Sequence, residues 1–236
     1  MNIRLYHPDS ILENTTSLLS KEHTHYVVNV MRLKRGSNLN FFNKNGEWRS
    51  EVIFLDKDRV EVKFLEKIKD KNNLSKIELA ICLVKKNPME IILQKATELG
   101  VSKIIPLISE RSEVRELNYD RAKKIVIEAT EQSNQLNPPS IAQTIKLDEF
   151  LKNISEKTKL LFADINFKEK IDYSNLKKSK SLIILIGPEG DFSPKERRLI
   201  TSKENVIPFS LSKNILRTDT AVISAISLIN FILNDH

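Results

Sequence analysis

Leu182-Ile183-Ile184-Leu185-Ile186 is apolar at every position. A strand with one solvated face alternates apolar and polar side chains, so this run demands cover on both faces. Ile77–Val84 is nearly as continuous, and Ile104–Leu107, Lys159–Ala163 and Val206–Leu211 add runs of the same kind. Between them the period changes. Met89, Ile92, Leu93, Ala96 and Leu99 share one helical face, and Ala122, Ile125, Val126 and Ala129 another. Strands alternating with helices predict an α/β fold with a parallel sheet. Asn87-Pro88 predicts the start of the first helix, with Asn87 as its cap, and Gly100 its end. Ser193-Pro194-Lys195-Glu196 is a capping box and starts another. A last helix, Asp219–Leu233, is apolar around most of its circumference, with Ser224, Ser227 and Asn230 as a narrow polar strip. Such a helix is a core helix or a subunit interface, and a homodimer is expected.

The first part of the chain has a different rhythm. Ile3–Tyr6, Asn38–Asn43, Glu47–Leu55 and Arg59–Glu66 read as short strands, with Asn45-Gly46 as a hairpin turn. One helix, capped by Ser20, runs from Lys21 to Met31. Several short strands around one helix predict a small β-barrel. Lys67–Ser75 is polar and charged and reads as a linker, which sets expected domains at 1–70 and 75–236.

Composition narrows the chemistry. The five glycines, Gly36, Gly46, Gly100, Gly187 and Gly190, form no GxGxxG fingerprint, phosphate loop or GxSxG elbow. One cysteine and four histidines argue against a metal site, and Cys82, inside an apolar run, reads as a buried thiol in a reducing cytoplasm. Residues 1–12 carry no signal-peptide core, and no apolar run reaches about 18 residues, so no membrane span is expected. The net charge of +7 suits a polyanionic partner. Arg32, Lys34 and Arg35 form one cationic cluster and Lys177, Lys178 and Lys180 another, the second reading as solvated surface.

Two stretches stand where chemistry is expected, at the carboxyl ends of parallel strands. Leu182–Ile186 runs straight into Gly187-Pro188-Glu189-Gly190, whose glycines permit close backbone approach to a ligand. Val206–Leu211 runs into a loop ending in Arg217-Thr218-Asp219-Thr220. Thr218 or Asp219 reads as the cap of the following helix before it reads as a catalytic group. Arg217 has no favourable role at a helix N-terminus and is a candidate for binding phosphate or polarising a substrate.

These stretches resemble the RsmE-type 16S rRNA (uracil-N3)-methyltransferases of the SPOUT (α/β-knot) superfamily. The resemblance rests on Leu185-Ile186-Gly187-Pro188-Glu189-Gly190 and on Leu211-Ser212-Lys213-Asn214-Ile215-Leu216-Arg217-Thr218-Asp219-Thr220-Ala221. Lys95-Ala96-Thr97-Glu98-Leu99-Gly100-Val101, Ser109-Glu110-Arg111-Ser112, Glu131-Gln132-Ser133 and the segment His25 to Leu33 are similar to its other signatures, in order. The resemblance implies an N-terminal PUA-like small β-barrel that binds RNA and a C-terminal α/β-knot methyltransferase domain that dimerises. It implies S-adenosylmethionine against Ala163, Gly187, Pro188, Glu189, Gly190, Leu211, Ser212, Ile215 and Leu216. The implied substrate is N3 of a uridine in the 16S rRNA of the small ribosomal subunit. Where the family usually has Gly-Arg after Glu-Gln-Ser, this chain has Asn134-Gln135; Asp191 replaces a frequent third glycine, and Ser212 and Asn214 also depart. Loss of that Arg removes one charged contact, and Ser212 lacks the backbone freedom of glycine.

Uracil N3 carries a proton at neutral pH and must lose it as it attacks the methyl carbon. Arg217 is the expected stabiliser of the developing anion, with Asp219 or Glu98 as the proton acceptor. Arg4, Arg32, Lys34, Arg35, Arg111 and His25 are the expected RNA contacts. Phe41 and Trp48 lie in alternating strands, where they read as core or as base-stacking platforms. A catalytically weakened rRNA-binding or assembly factor is the second reading. A related knotted enzyme acting on tRNA or a ribose 2′-hydroxyl is the third.

Overall fold

A computed structural model describes residues 3–71, 75–168, 174–177, 179 and 181–233. The chain divides into two compact units, Met1–Asn73 with Thr130–Asn137, and Leu74–Ala129 with Pro138–His236. The first thus includes a short segment, 130–137, that the expected boundaries leave in the second.

The first unit contains β1 (Arg4–Tyr6), β2 (Thr16–Leu18), α1 (Lys21–His25), β3 (Asn38–Asn43), β4 (Gly46–Leu55) and β5 (Val60–Asp70). Its sheet runs β1-β3-β4-β5-β2, with β1 parallel to β3 and the other pairs antiparallel. Three register shifts between β4 and β5 bend the sheet. Its core gathers Leu5, Leu39, Phe41, Trp48, Val52, Val62 and Phe64 around Val27. Phe41 and Trp48 are therefore packing residues and not base-stacking platforms.

Three local expectations need correction here. The helix from Lys21 is α-helical only to His25; Tyr26–Val30 is a π turn, closed by the Met31 N–H donating to the Tyr26 carbonyl at 2.9 Å. Lys67–Asp70 is not linker but the end of β5, paired with β4, its Lys67 ammonium over the Trp48 ring at 5.4 Å. Residues 72–74 of the expected linker lie outside the described residues. Strand β2, at one end of the strand order, carries no apolar alternation in Thr16-Ser17-Leu18 and was not foreseen.

The second unit contains, in order, β6 (Ile77–Cys82), α2 (Lys86–Glu98), β7 (Lys103–Ile108), α3 (Tyr119–Gln132, its residues from Thr130 on counted with the first unit), β8 (Ser140–Ile141), β9 (Ile145–Lys146) and α4 (Leu147–Asn153). It continues through β10 (Lys159–Ala163), α5 (Ser174–Lys177), β11 (Leu182–Ile186), α6 (Pro194–Thr201), β12 (Val206–Phe209) and α7 (Thr218–Leu233). The sheet order is β12-β10-β11-β6-β7-β8, with β9 also on β7, and every pairing is parallel. One face packs against α2, α3 and α7, the other against α4 and α6. That two-sided cover is why Leu182–Ile186 is buried throughout.

The N-cap of α2 is Lys85, two residues before the expected Asn87, and it makes no side-chain cap bond. The capping box of α6 is complete: Ser193 Oγ accepts from the Glu196 N–H, and the Glu196 carboxylate from the Ser193 N–H. In α7 the residues Val222, Ala225, Ile226 and Ile229 are buried against the sheet, while Phe231 stays 64 % exposed. Phe231 thus lies on the outward side of α7, together with the polar Thr220 and Ser227. Lys178 and Lys180 of the second cationic cluster lie outside the described residues.

Candidate active site

Strand β10 lies between β11 and β12, so three parallel strands open side by side on one rim. Phe162 stands opposite Leu185 and Ala163 opposite Phe209, which brings the chain leaving Ala163, Ile186 and Phe209 to nearly one level. Neighbouring strands lie about 4.8 Å apart, so the outer two loops are separated by about 10 Å, a span that a nucleoside-sized molecule bridges. β12 is an edge strand, yet α7 packs near the sheet centre against α2. The loop between them carries the chain back across the rim.

Each crossover is shaped by its own contacts. In the first, the Asp191 N–H donates to the Pro188 carbonyl at 2.9 Å and Asp191 adopts φ +56°. A Cβ on Gly187 would meet the Phe192 ring at 3.0 Å, so any side chain there must displace that ring. A Cβ on Gly190 would meet its nearest neighbour, Arg111 Cβ, at 3.5 Å, an ordinary contact. The protein itself thus leaves room at Gly190. Pro188 is buried, whereas Glu189 is exposed and pairs with no side chain among the described residues. In the second crossover Ser212 Oγ accepts from the Asn214 N–H at 3.0 Å, and its backbone is not left-handed, so glycine's freedom is not needed there. Leu211 and Leu216 are half-buried, and Ile215 is an apolar side chain left 89 % exposed.

Arg217 caps α7 with its carbonyl, which accepts from the Ala221 N–H at 2.8 Å. Its guanidinium is 74 % exposed, and Nε lies 3.5 Å from Oδ1 of Asp219, whose side chain is only 14 % exposed. Arg217 is an exposed cation with one carboxylate beside it, where the second crossover enters α7. Glu98 lies elsewhere. It ends α2, which leads back to the amino end of β7, where the Ser102 N–H donates to the carbonyl of Ile77, the first residue of β6. The Glu98 carboxylate pairs there with Lys95 at 2.8 Å, a sheet length from Arg217. It is a surface ion-pair partner, not a group of this rim.

The expected RNA contacts also separate. Arg32, Lys34 and Arg35 are exposed, pair with no side chain among the described residues, and follow the π turn, Arg32 at φ +50°. His25 is exposed on α1. Arg111 donates to the Gly190 carbonyl at 2.9 Å, which joins the loop after β7 to the first crossover. Arg4 is a different case. Its guanidinium pairs with Glu47 at 3.1 Å, donates to the carbonyls of Glu131 and Gln135, and stacks over Phe42. Every prong is occupied inside the first unit, so Arg4 leaves the RNA-contacting set.

Two groups on α6 escaped the sequence reading. Glu196, besides its capping role, accepts from the Glu110 N–H at 2.8 Å and ties down the loop after β7. Arg197 pairs with Asp164, just past β10, and with Asp191 at 2.8 Å. Burial by itself would lower the Arg197 pKa, but the hydrogen bonds and charges of Asp164 and Asp191 outweigh it and raise it. In the sequence Arg197 is one charge among Lys195, Glu196 and Arg198, with nothing to single it out. Cys82, behind the rim, is pushed up to about 12 by burial, against a hydrogen bond to Ser109, and is inert.

A family model described as RNA methyltransferase domain matches residues 70–230, and one described as RNA methyltransferase PUA domain matches residues 19–65. The ribosomal RNA small subunit methyltransferase E of Rickettsia conorii is 37 % identical, covering 99 % of this chain and 96 % of that protein. The chain belongs to the ribosomal RNA small subunit methyltransferase E family. The Bacillus subtilis member of the family is 31 % identical over 94 % of this chain and 92 % of its own length. Among solved structures, the Neisseria gonorrhoeae member bound to S-adenosylmethionine superposes with a TM-score of 0.89 at 29 % identity, covering 98 % of this chain and 97 % of that one. A Legionella pneumophila methyltransferase in complex with S-adenosylmethionine gives 0.87 at 33 % identity, with the same coverage of both chains. For a methyltransferase E family member, two departures then find their reason. Asn134 and Asp191, which stand where glycine is usual, both occupy the left-handed region, at φ +61° and +56°. Asn and Asp are the side chains that enter it most readily.

Proposed function

We propose that this chain transfers a methyl group from S-adenosylmethionine to N3 of a uridine in 16S rRNA. The observation that carries the reading is the pair of crossovers, 187–190 and 211–216, brought to one rim on either side of β10. The rim fits the donor: room at Gly190, Ile215 standing uncovered, half-buried Leu211 and Leu216, and main-chain groups instead of a charged phosphate cradle. Ala163, Gly187, Pro188, Glu189, Gly190, Leu211, Ser212, Ile215 and Leu216 would hold it. When bound, it supplies an electrophilic methyl carbon on a sulfonium.

Arg217 meets the uracil carbonyl oxygen on which negative charge grows as N3 loses its proton. Asp219, 3.5 Å away, orients that guanidinium and takes the proton. The N3 lone pair then forms the bond to the methyl carbon as the carbon–sulfur bond breaks, leaving a neutral thioether. N3 sits on the Watson–Crick edge, so the uridine must be unpaired when it reaches Arg217. Arg32, Lys34, Arg35 and His25 hold RNA phosphates from the first unit, and Arg111 from the second.

The enzyme works in the cytoplasm as a homodimer, covering the exposed Phe231 side of α7 and needing no metal. Among the described residues no helix is long and apolar enough to cross a membrane and no cluster of metal-ligating side chains occurs. Labelled methyl transfer to small-subunit RNA from a strain lacking the gene, followed by mapping the modified position, tests the reading. A Watson–Crick-blocking methyl on one uridine is expected. Label on a ribose or on tRNA, or binding without transfer, overturns it.

A further inference from the structure

We infer that Arg197 is the positioning residue of the methyl-donor turn: by gripping Asp164 and Asp191 at once it holds residues 187–191 in their binding shape. The inference rests on reading the rim as a donor site.

Asp191 is a non-glycine residue in the left-handed region, a conformation that persists only where its surroundings hold it. Its carboxylate is held on both sides. Oδ1 accepts from the Phe192 N–H at 2.7 Å, and Oδ2 accepts from Arg197 at 2.8 Å. The other prong of Arg197 pairs with Asp164, whose side chain is 9 % exposed and whose N–H donates to the Phe209 carbonyl at the end of β12 at 2.8 Å. The amide oxygen of Asn166, turned to accept, faces the two Nη atoms at 3.1 and 3.0 Å. The guanidinium lies 5.8 Å from the centre of the Phe162 ring, which meets Phe192 edge-on, and Phe192 packs on Gly187. One planar cation thus joins the segments that leave β10 and β11, and the Asp164 N–H carries the link on to β12.

Its prongs are occupied within the protein, so Arg197 acts through the turn and not on the substrate. Removing it leaves Asp164 buried without a cation and Asp191 free to leave the left-handed bend. If the binding-competent turn then falls to about a tenth of molecules, the apparent Kd rises about tenfold, while turnover at saturating donor holds. Lysine, a single point charge, cannot serve both carboxylates and restores only part of the affinity.

Calorimetry of S-adenosylmethionine with the full chain tests this, with methyl transfer at saturating donor as second readout. Arg197→Ala is expected to raise Kd about tenfold or more with turnover kept within about threefold. Arg197→Lys falls between, and Arg198→Ala on the same helix binds as the unaltered chain does. In an Asp191→Gly background, where glycine takes the bend unaided, losing Arg197 raises Kd less. Should Arg197→Ala fail to fold, Arg197→Lys and the double variant carry the test. An unchanged Kd in the Arg197 variants, or an equal rise in both backgrounds, overturns the role of Arg197. No binding to the unaltered chain overturns the donor site itself.

Discussion

The two glycines of the first crossover are alike in sequence and different in space. Gly187→Ala drives a methyl into Phe192, which is buried against Phe162, and should cost about 1–3 kcal/mol of stability, read by chemical denaturation. Gly190→Ala meets nothing closer than 3.5 Å and should change stability by less than about 0.5 kcal/mol, yet weaken donor binding if, as proposed, the donor occupies the space beside it. Arg217→Ala should lower turnover by about two orders of magnitude or more with donor affinity nearly unchanged, since the guanidinium is exposed and is proposed to meet the uracil, not the donor. Arg4→Ala should instead destabilise by about 3–5 kcal/mol, leaving Glu47 buried without its cation, as a denaturant titration would show. At this scale the sequence was a partial guide. The crossover residues and Arg217 were legible because their neighbours mark strand ends. The internal role of Arg4, the remoteness of Glu98 and the grip of Arg197 were not, because an ion pair formed across the fold leaves no trace in residue spacing.

Helix α6 shows what an eight-residue element can organise. Its capping box was legible because reciprocal capping is local. Its second task, the bond from Glu196 to the Glu110 N–H, is not local and was invisible. Glu196→Ala removes both and should cost about 1–3 kcal/mol, observable as a lowered thermal midpoint, with faster amide exchange in the loop after β7. Elsewhere the bounds followed physics that a single sequence carries weakly. β3 was read to the residue from its alternation and the following turn. β5 outran its expected end because Lys67 finds a cross-strand aromatic ring and outweighs its polar context. Of the two readings of the last helix, core or subunit interface, the single chain supplies the core for Val222, Ala225, Ile226 and Ile229 and leaves Phe231 facing outward.

The whole chain reads as two units because its hydrophobic period changes near residue 70, and that change was visible. That residues 130–137 belong with the first unit was not, since contacts formed across the fold reveal it: Arg4 donates to the carbonyls of Glu131 and Gln135, and the Tyr6 N–H to the Glu131 carboxylate. The same unit carries a pH response. Burial lowers the His23 pKa from its ordinary 6.5, with Glu22 opposing and His7 adding to the shift. An unfolded chain therefore takes up this proton first as the pH falls, and stability is lost in the window from 6.5 down to the folded value. Calorimetric midpoints between about pH 7.5 and 5.5 should fall less in His23→Gln than in the unaltered chain. Trp48, the sole indole of the chain, sits in the core of the first unit. Its emission is consequently a private signal of that half, whereas circular dichroism is weighted toward the helices of the other. Melts recorded both ways would separate the cooperativity of the two halves without cutting the chain.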